Sequence, residues 1–365
     1  MKRPARARTR RGRARASLVP LALAAILIAG LAAASAAAPP TRLDASSILS
    51  PPLDASGQVK VAVALHVLNL SSIDEVTERF HLTGYLVEQW RDPRLAYPAA
   101  GPNDKFRTLL PRAVWRPELV ILNAVEQRHS YETSLRVAPD GLMSFVERFD
   151  AVVTSTFNLT PFPFDAQKLE VLVHPFTDQQ QFITFVPSLL PVWTATEFNT
   201  YSSLESWRFQ SLTSHLGRAA SQFGAHAIAE ARFEIAVARR YQFYLWKVFL
   251  PLLLMVVVSW SVFWFDPPEV SSQVTIAVTT ILTIIAFALT ISLTLPRVPY
   301  LTFVDAYFLT CYIFAFVAML ELTAVHVAYR NERRRVATRI RRTARWLVPV
   351  SFVAINAILI VHFLT

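Results

Sequence analysis

Four long apolar runs end this 365-residue chain, at 243–265, 270–295, 302–329 and 346–364. Each has the length that carries a helix across a bilayer, about 20 residues. The first is apolar except for Lys247, near one end, where a lysine can snorkel to the interface. Composition agrees, since 53% of the residues are hydrophobic and only 17% are charged. The formal charge of +10 first suggests nucleic acid, but its distribution argues against that partner. Eight Lys or Arg fall in residues 1–17, and eight Arg fall in residues 329–345 against one acid, Glu332. The rest of the chain is slightly acidic. Basic residues packed beside apolar runs are topology signals, not a nucleic-acid-binding face.

Residues 1–36 read as a secretory signal: a basic stretch, the apolar run Leu18–Ala34, then Ala34-Ser35-Ala36, which fits a cleavage site. An uncleaved anchor helix is the alternative, and both readings place the next segment outside the cytoplasm. Residues 37–57 read as a linker. Residues 58–240 form one block rich in Val, Phe, Thr and Tyr, with period-two alternation in Val59–Val67 and Arg232–Val237 and turn signals such as Pro139-Asp140-Gly141. That pattern predicts an antiparallel β-sandwich. Cys311 is the only cysteine, so no disulfide forms within the chain and no cysteine-based zinc site exists. No metal and no cofactor are expected. With the β-domain outside, the helices run inward, outward, inward, and the 329–345 linker is cytoplasmic. Its arginines agree with the positive-inside rule independently.

The second apolar run carries a stripe. Ser271, Thr275, Thr279, Leu282, Ala286, Leu289 and Leu293 recur at spacings of 4, 4, 3, 4, 3 and 4, which puts them on one helical face. The face begins hydroxylic and ends apolar. Repeated around an axis, such a face makes rings: hydroxyl rings replace part of an ion's hydration shell, and leucine rings close a pore by dewetting. Hydroxyls that hydrogen-bond between packed helices would give the same stripe.

Several motifs, in order, resemble one family. Trp90-Arg91-Asp92-Pro93-Arg94-Leu95 resembles a W-x-D-x-x-L signature, and Trp115-Arg116-Pro117-Glu118 a W-x-P-D element. Phe162-Pro163-Phe164-Asp165 with Gln167 resembles an FPFD turn. Ser259–Trp264 and Leu295–Tyr300 resemble the first membrane helix and the loop between the second and third. The chain resembles the pentameric ligand-gated ion channels (the Cys-loop receptor superfamily), especially prokaryotic members, from about Val59 to the C-terminus. Ser155 and Leu169 stand where animal receptors have bridging cysteines.

The resemblance implies an immunoglobulin-like extracellular sandwich, a four-helix membrane bundle and a homopentamer passing monovalent ions through the bilayer. It makes the stripe the pore lining, with Leu282 at the hydrophobic gate. It implies an agonist site between subunits, at Tyr85, His174, Phe176 and Phe223. Aromatic faces suit a cationic agonist such as an amine. However, Leu122 replaces a tyrosine of the animal receptors, and His174 replaces the glutamate of an amine-gated relative. Protons are the second stimulus considered, with His326 matching a position in a proton-gated relative. Yet Ile284 and Ser292 replace titratable residues of that relative's pore helix. Gating coupling is expected at Asp74 in the loop 69–74, the turn Phe162, Pro163, Phe164 and Asp165, Arg239-Arg240 before the first helix, and Pro296 and Pro299 in the loop 296–300, including an Asp165–Arg240 ion pair. Selectivity falls to Glu269 and Ser271. A glutamate ring is missing at Ser271 and Ser272, Glu269 follows Pro267-Pro268, and Gln273 replaces the arginine of anion-selective members, which leans the expectation to cations.

No G-x-S-x-G or H-E-x-x-H motif and no telling carboxylate pair points to an enzyme. A non-conducting envelope ligand-binding receptor is the closer rival. The expected location is the bacterial cytoplasmic membrane, multi-pass, with the β-domain on the periplasmic side.

Overall fold

The structure is a computed structural model that describes residues 47–188, 204–220, 227–265, 270–292 and 298–364. The signal segment 1–36 lies outside these residues. Among the described residues, ten strands build two facing sheets. One has the order β3 (Arg107–Leu109), β5 (His129–Val137), β6 (Leu142–Thr154), β2 (Arg79–Arg91), β1 (Val59–Asp74), β8 (Ile183–Val186). The other has the order β4 (Leu119–Ile121), β7 (Ala166–Pro175), β10 (Ala227–Arg239), β9 (Trp207–Ala220). All neighbours are antiparallel except β1 and β8, which pair in parallel from Val59 with Ile183 to Ala62 with Val186. The period-two pattern explains the core: Phe80, Leu82, Leu86 and Trp90 of β2 face inward with Leu169, Val171, Phe233 and Ile235 of the other sheet.

The two tryptophan motifs are structural. Trp90 and Trp115 meet edge to face, with ring centroids 6.0 Å apart. Asp92 is fully buried and is gripped by Arg94, whose Nε and Nη2 each donate at 2.8 Å. Gly141 sits at φ +80°, and a Cβ there would lie 2.6 Å from the Asp92 carbonyl, so that turn requires glycine. Ser155 and Leu169, at the positions of the missing bridge, are still stitched. The Ser155 hydroxyl donates to the Lys168 carbonyl (3.2 Å) and accepts from the Glu170 amide (3.1 Å), straddling Leu169.

Four helices follow, each long and apolar enough to cross a membrane: α1 (Gln242–Trp264), α2 (Val270–Ser292), α3 (Phe303–Arg330) and α4 (Arg334–Leu364). A π-turn over Leu245–Phe249 precedes Pro251 in α1, where the proline has no amide to give the regular ladder. Thr302 and Asp305 form a reciprocal capping box that starts α3. The structure corrects one boundary. The segment expected as a linker up to residue 345 is helical from Arg334, because its Ala and Arg residues are good helix formers. Its arginines have partners to hold. Arg341 is buried and bonds the Phe265 carbonyl and Gln273 Oε1, with Glu321 3.8 Å away. Arg345 donates to the Phe263 carbonyl at 2.8 Å. The first turns of α4 therefore tie the end of α1 to α2 and α3.

Candidate pore face, agonist face and coupling junction

The helix α2 packs on α1 and α3 by one face only. Gln273, Ala277, Thr280 and Ile284 are buried, at spacings of 4, 3 and 4. Ser271, Thr275, Thr279, Leu282, Ala286 and Leu289 lie on the other side, with Leu282 at 60% exposure and Leu289 at 63%. Leu293 lies outside the described residues, as does Glu269. The hydroxyl of Thr275 donates to the Ser271 carbonyl at 2.9 Å, and that of Thr283 to the Thr279 carbonyl at 2.7 Å. With its proton committed to the helix, the Thr275 oxygen leaves lone pairs for the bare side.

The residues expected to contact agonist do not meet within one chain. Tyr85 is half-buried on the outward face of the six-stranded sheet, paired across strands with His66 and Arg148. His174 and Phe176 lie at the end of β7 in the other sheet. Phe176 is 48% exposed and its amide bonds the Glu118 carbonyl. His174 is buried, and its Nε2 lies 2.9 Å from Glu230 Oε2. Burial works against the Glu230 charge, but hydrogen bonds from His174 and Arg232 outweigh it and hold the carboxyl below its usual range. Glu230, the partner of His174, is a residue that motif reasoning does not find. Its one signal is the alternation Glu230, Arg232, Glu234 along one face of β10. Phe223 lies outside the described residues, between the paired ends Ala220 and Ala227.

The junction between sandwich and helices is built on the 162–165 turn. Phe162 is buried against Tyr244, with centroids at 4.9 Å. Phe164 packs among Tyr241, Phe249 and Phe303 at 5.2, 6.0 and 5.5 Å. The Thr160 carbonyl accepts from the Phe303 amide at 3.0 Å, and the Tyr300 hydroxyl accepts from the Leu159 amide at 3.1 Å. Pro163 follows Phe162 through a cis peptide, Pro299 is exposed beside Tyr300, and Pro296 lies outside the described residues.

The expected Asp165–Arg240 pair is not formed. The partner of Asp165 is Arg239, with Nε to Oδ1 at 2.7 Å and Nη2 to Oδ2 at 3.2 Å. Alternation decides this. Arg239 shares the inward face of β10 with Val237, whereas Arg240 follows the strand and is exposed. Arg239 also contacts Glu75 at 2.8 Å and lies over the rings of Trp207 (4.1 Å) and Phe162 (4.6 Å). Burial opposes its charge, but Asp165 and Glu75 overcome that and raise its pKa. Asp74, expected in this cluster, instead caps its own turn through Val76 and Thr77, and its neighbour Glu75 reaches the arginine. His326 is half-exposed, and Glu321 is paired with Arg341.

A two-sheet extracellular-type sandwich joined through an aromatic turn to four membrane helices defines a ligand-gated channel subunit. Residues 45–241 match the family model of the neurotransmitter-gated ion-channel ligand binding domain, and residues 248–343 match that of the neurotransmitter-gated ion-channel transmembrane region. The chain belongs to this family. It is 28% identical over 309 residues to a proton-gated ion channel of Gloeobacter violaceus, covering 85% of this chain and 84% of that one. It is also 28% identical to the gamma-aminobutyric acid receptor subunit rho-2 of Bos taurus, covering 81% of this chain and 65% of the receptor. With the gamma-aminobutyric acid receptor subunit beta of Caenorhabditis elegans it shares 26% identity over 73% of this chain and 49% of the other. The chain thus spans about two thirds or less of the animal subunits' length.

Proposed function

We propose that five copies of this chain assemble around an axis into a ligand-gated ion channel of the bacterial cytoplasmic membrane. The β-sandwich faces the periplasm, and agonist bound between neighbouring sandwiches opens a pore lined by α2. The observation that carries this reading is the bare face of α2. Six stripe positions from Ser271 to Leu289 are left uncovered while the opposite face is packed. A hydroxyl uncovered at membrane depth is satisfied by its own helix carbonyl, by water or by a partner, and the stripe gathers three of them on one bare face. The test uses single cysteines at Thr279 and Ala277 in a Cys311→Ser background, in membranes under voltage clamp. A charged thiol reagent should block current through the Thr279→Cys channel and spare the Ala277→Cys channel. Equal sensitivity would remove α2 from the pore.

The permeant ions are monovalent cations. Support comes from the Thr275 oxygen, whose proton is bonded back to the helix, so the ring presents acceptors. Sequence adds Glu269 beside Ser271 at the inner mouth. Glu269→Gln should lower cation conductance, and an unchanged conductance and reversal potential would take Glu269 out of the filter. Agonist binding falls to Tyr85 from one subunit and His174, Phe176 and Phe223 from the next. A small amine fits this face better than the sequence implied, because Glu230 supplies a carboxylate beside His174. Proton gating is the second reading, favoured by the name of the Gloeobacter violaceus relative. Recordings at varied pH and against small amines separate the two. Coupling runs through Glu75, Arg239, Asp165 and the Phe162–Phe164 turn. Asp165→Asn channels should reach the membrane and gate poorly, and normal currents at normal agonist concentration would sink that assignment.

A further inference from the structure

Three inward faces of the helix bundle are interrupted at one level by strongly polar groups. On α4 the buried series is Ala337, Arg341, Ala344, Val348 and Phe352, and Arg341 is its only charge. On α2 the buried series begins with Gln273, and on α3 it passes through Glu321 between Ala318 and Leu322. Burying a guanidinium is costly unless its fork finds partners. Arg341 is 5% exposed, and its partners lie on three other elements at once. Its Nη1 donates to the Phe265 carbonyl, its Nη2 donates to Gln273 Oε1 at 3.2 Å, and its Nε lies 3.8 Å from Glu321 Oε1. Arg334, Arg335, Arg339 and Arg342 on the same turns are exposed, so the topology signal is present without Arg341.

The contacts on α1 and α2 bracket the link between those helices. Phe265 ends α1, where carbonyls lack a partner further along the helix, and a cation there meets the negative end of the helix dipole. Gln273 lies near the start of α2. Successive residues of a helix turn by about 100°, so Gln273 points about 200° away from both Ser271 and Thr275. A group that holds Gln273 to the bundle therefore turns those two hydroxyls away from it. Farther along, Ala277 and Ile284 hold α2 by apolar packing, which has no preferred direction. A hydrogen bond to a fork fixed on other helices does have one. We propose that Arg341 is the positioning residue for the hydroxylic end of α2. By holding Gln273 it fixes the rotation of the helix there, and so decides that Ser271 and Thr275 meet the permeating ions. This rests on the reading of α2 as the pore lining.

The test reads the rotation directly and needs no channel opening. Single cysteines at Thr275 and Ala277, in a Cys311→Ser background, are treated on the purified full-length protein with a charged methanethiosulfonate, and labelling is followed by mass spectrometry. In this parent the Thr275→Cys thiol should react at least about tenfold faster than the Ala277→Cys thiol, since a buried thiol is inert. Adding Gln273→Leu should shrink that ratio to about threefold or less. At the other end of α2, the ratio between Leu289→Cys and Ile284→Cys should stay at its parent value, which a general loosening of the fold would not allow. Arg341→Gln combined with Glu321→Gln, which leaves no buried acid without its arginine, should act like Gln273→Leu. Gln273→Glu keeps an acceptor for the fork and should retain the parent ratio. A ratio unchanged in both Gln273→Leu and the double variant, or lost as fully in Gln273→Glu as in Gln273→Leu, would overturn the role of Arg341 and leave α2 as the pore lining. Equal reaction of Thr275→Cys and Ala277→Cys in the parent would remove the bare face itself, and both readings with it.

Discussion

Replacing Arg239 by Gln should be far more damaging than replacing Arg240, one residue along the same chain. Arg239 is 7% exposed and satisfies two acids, Asp165 at 2.7 and 3.2 Å and Glu75 at 2.8 Å. Removing it leaves Asp165, 1% exposed, with the Gln167 amide still donating at 2.7 Å but no positive charge against it. Breaking one side of a buried ion pair costs about 3–5 kcal/mol, because the other charge stays desolvated. The cation–π contacts with Trp207 and Phe162 are lost as well. For a domain of this size each kcal/mol lowers Tm by about 2–4 °C, so Arg239→Gln should melt roughly 10 °C below the parent. Arg240 is exposed, and Arg240→Gln should stay within about 0.5 kcal/mol of the parent. Arg239→Lys keeps the charge but not the planar fork that serves both carboxylates, and should fall between the two. The assay is thermal unfolding of detergent-solubilised protein, followed by agonist dose–response of whatever reaches the membrane. Equal melting of the Arg239→Gln and Arg240→Gln proteins would refute the reasoning from burial and alternation.

Glu88 makes stability pH-dependent with a definite sign. Its folded pKa lies above the ordinary carboxyl value, so the folded state holds the proton longer and stability falls as pH rises from about 4.5 toward about 8. At pH 7 the loss amounts to about 3 kcal/mol, and Glu88→Gln should lack this slope in melting curves between pH 5 and 8. Leu282→Ser replaces an exposed leucine of the proposed gate with a hydroxyl. Channels should then open at agonist concentrations lower by about tenfold or more, or without agonist, and an unchanged dose–response would place the gate elsewhere. Gly141→Ala should destabilise by more than about 1 kcal/mol, since φ is +80° and the new Cβ meets the Asp92 carbonyl; equal thermal stability would show that the turn can relax.

The membrane helices and the sandwich were legible because their signals are long and redundant. Four runs of bilayer length and period-two strands such as Val59–Val67 each repeat one message over many residues. The junction was legible only in part, because its message rests on single positions. The turn motif points to Phe162, Phe164 and Asp165, but the arginine that answers Asp165 lies one residue before the expected one. The strand pattern could have settled that, since Arg239 continues the inward series Phe233, Ile235, Val237. Glu75 and Glu88 carry no comparable signal. Glu75 sits after a strand end, and Glu88 interrupts an apolar face that alone would predict a hydrophobe. Both become visible only when distant strands bring Arg239 to one and bury the other without a hydrogen-bond partner among the described residues. The arginines of α4 mislead for a different reason. Their number marks topology, which makes the segment look like a loop, yet Arg341 and Arg345 bond carbonyls at the end of α1.

The stripe on α2 was ambiguous in sequence because hydroxyls serve both pores and helix packing. Packing within the subunit covers some of these polar groups and leaves others bare. The polar groups that serve contacts within the chain are Gln273, held by Arg341, and Thr280, whose hydroxyl turns back to the Ile276 carbonyl; both are buried. Neither belongs to the stripe. The stripe's own hydroxyls at 271, 275 and 279 are uncovered, as are those of Ser272, Thr283 and Thr290 beside it. A chain that needed these groups only to pack its own helices would have covered them, as it covered Gln273 and Thr280. Their cover must come from outside the subunit: water, ions, or the same helix of neighbouring copies. In the proposed pentamer, a symmetric ring of α2 helices would supply all three at once, with hydroxyls toward the axis at one end and Leu282 and Leu289 toward it at the other.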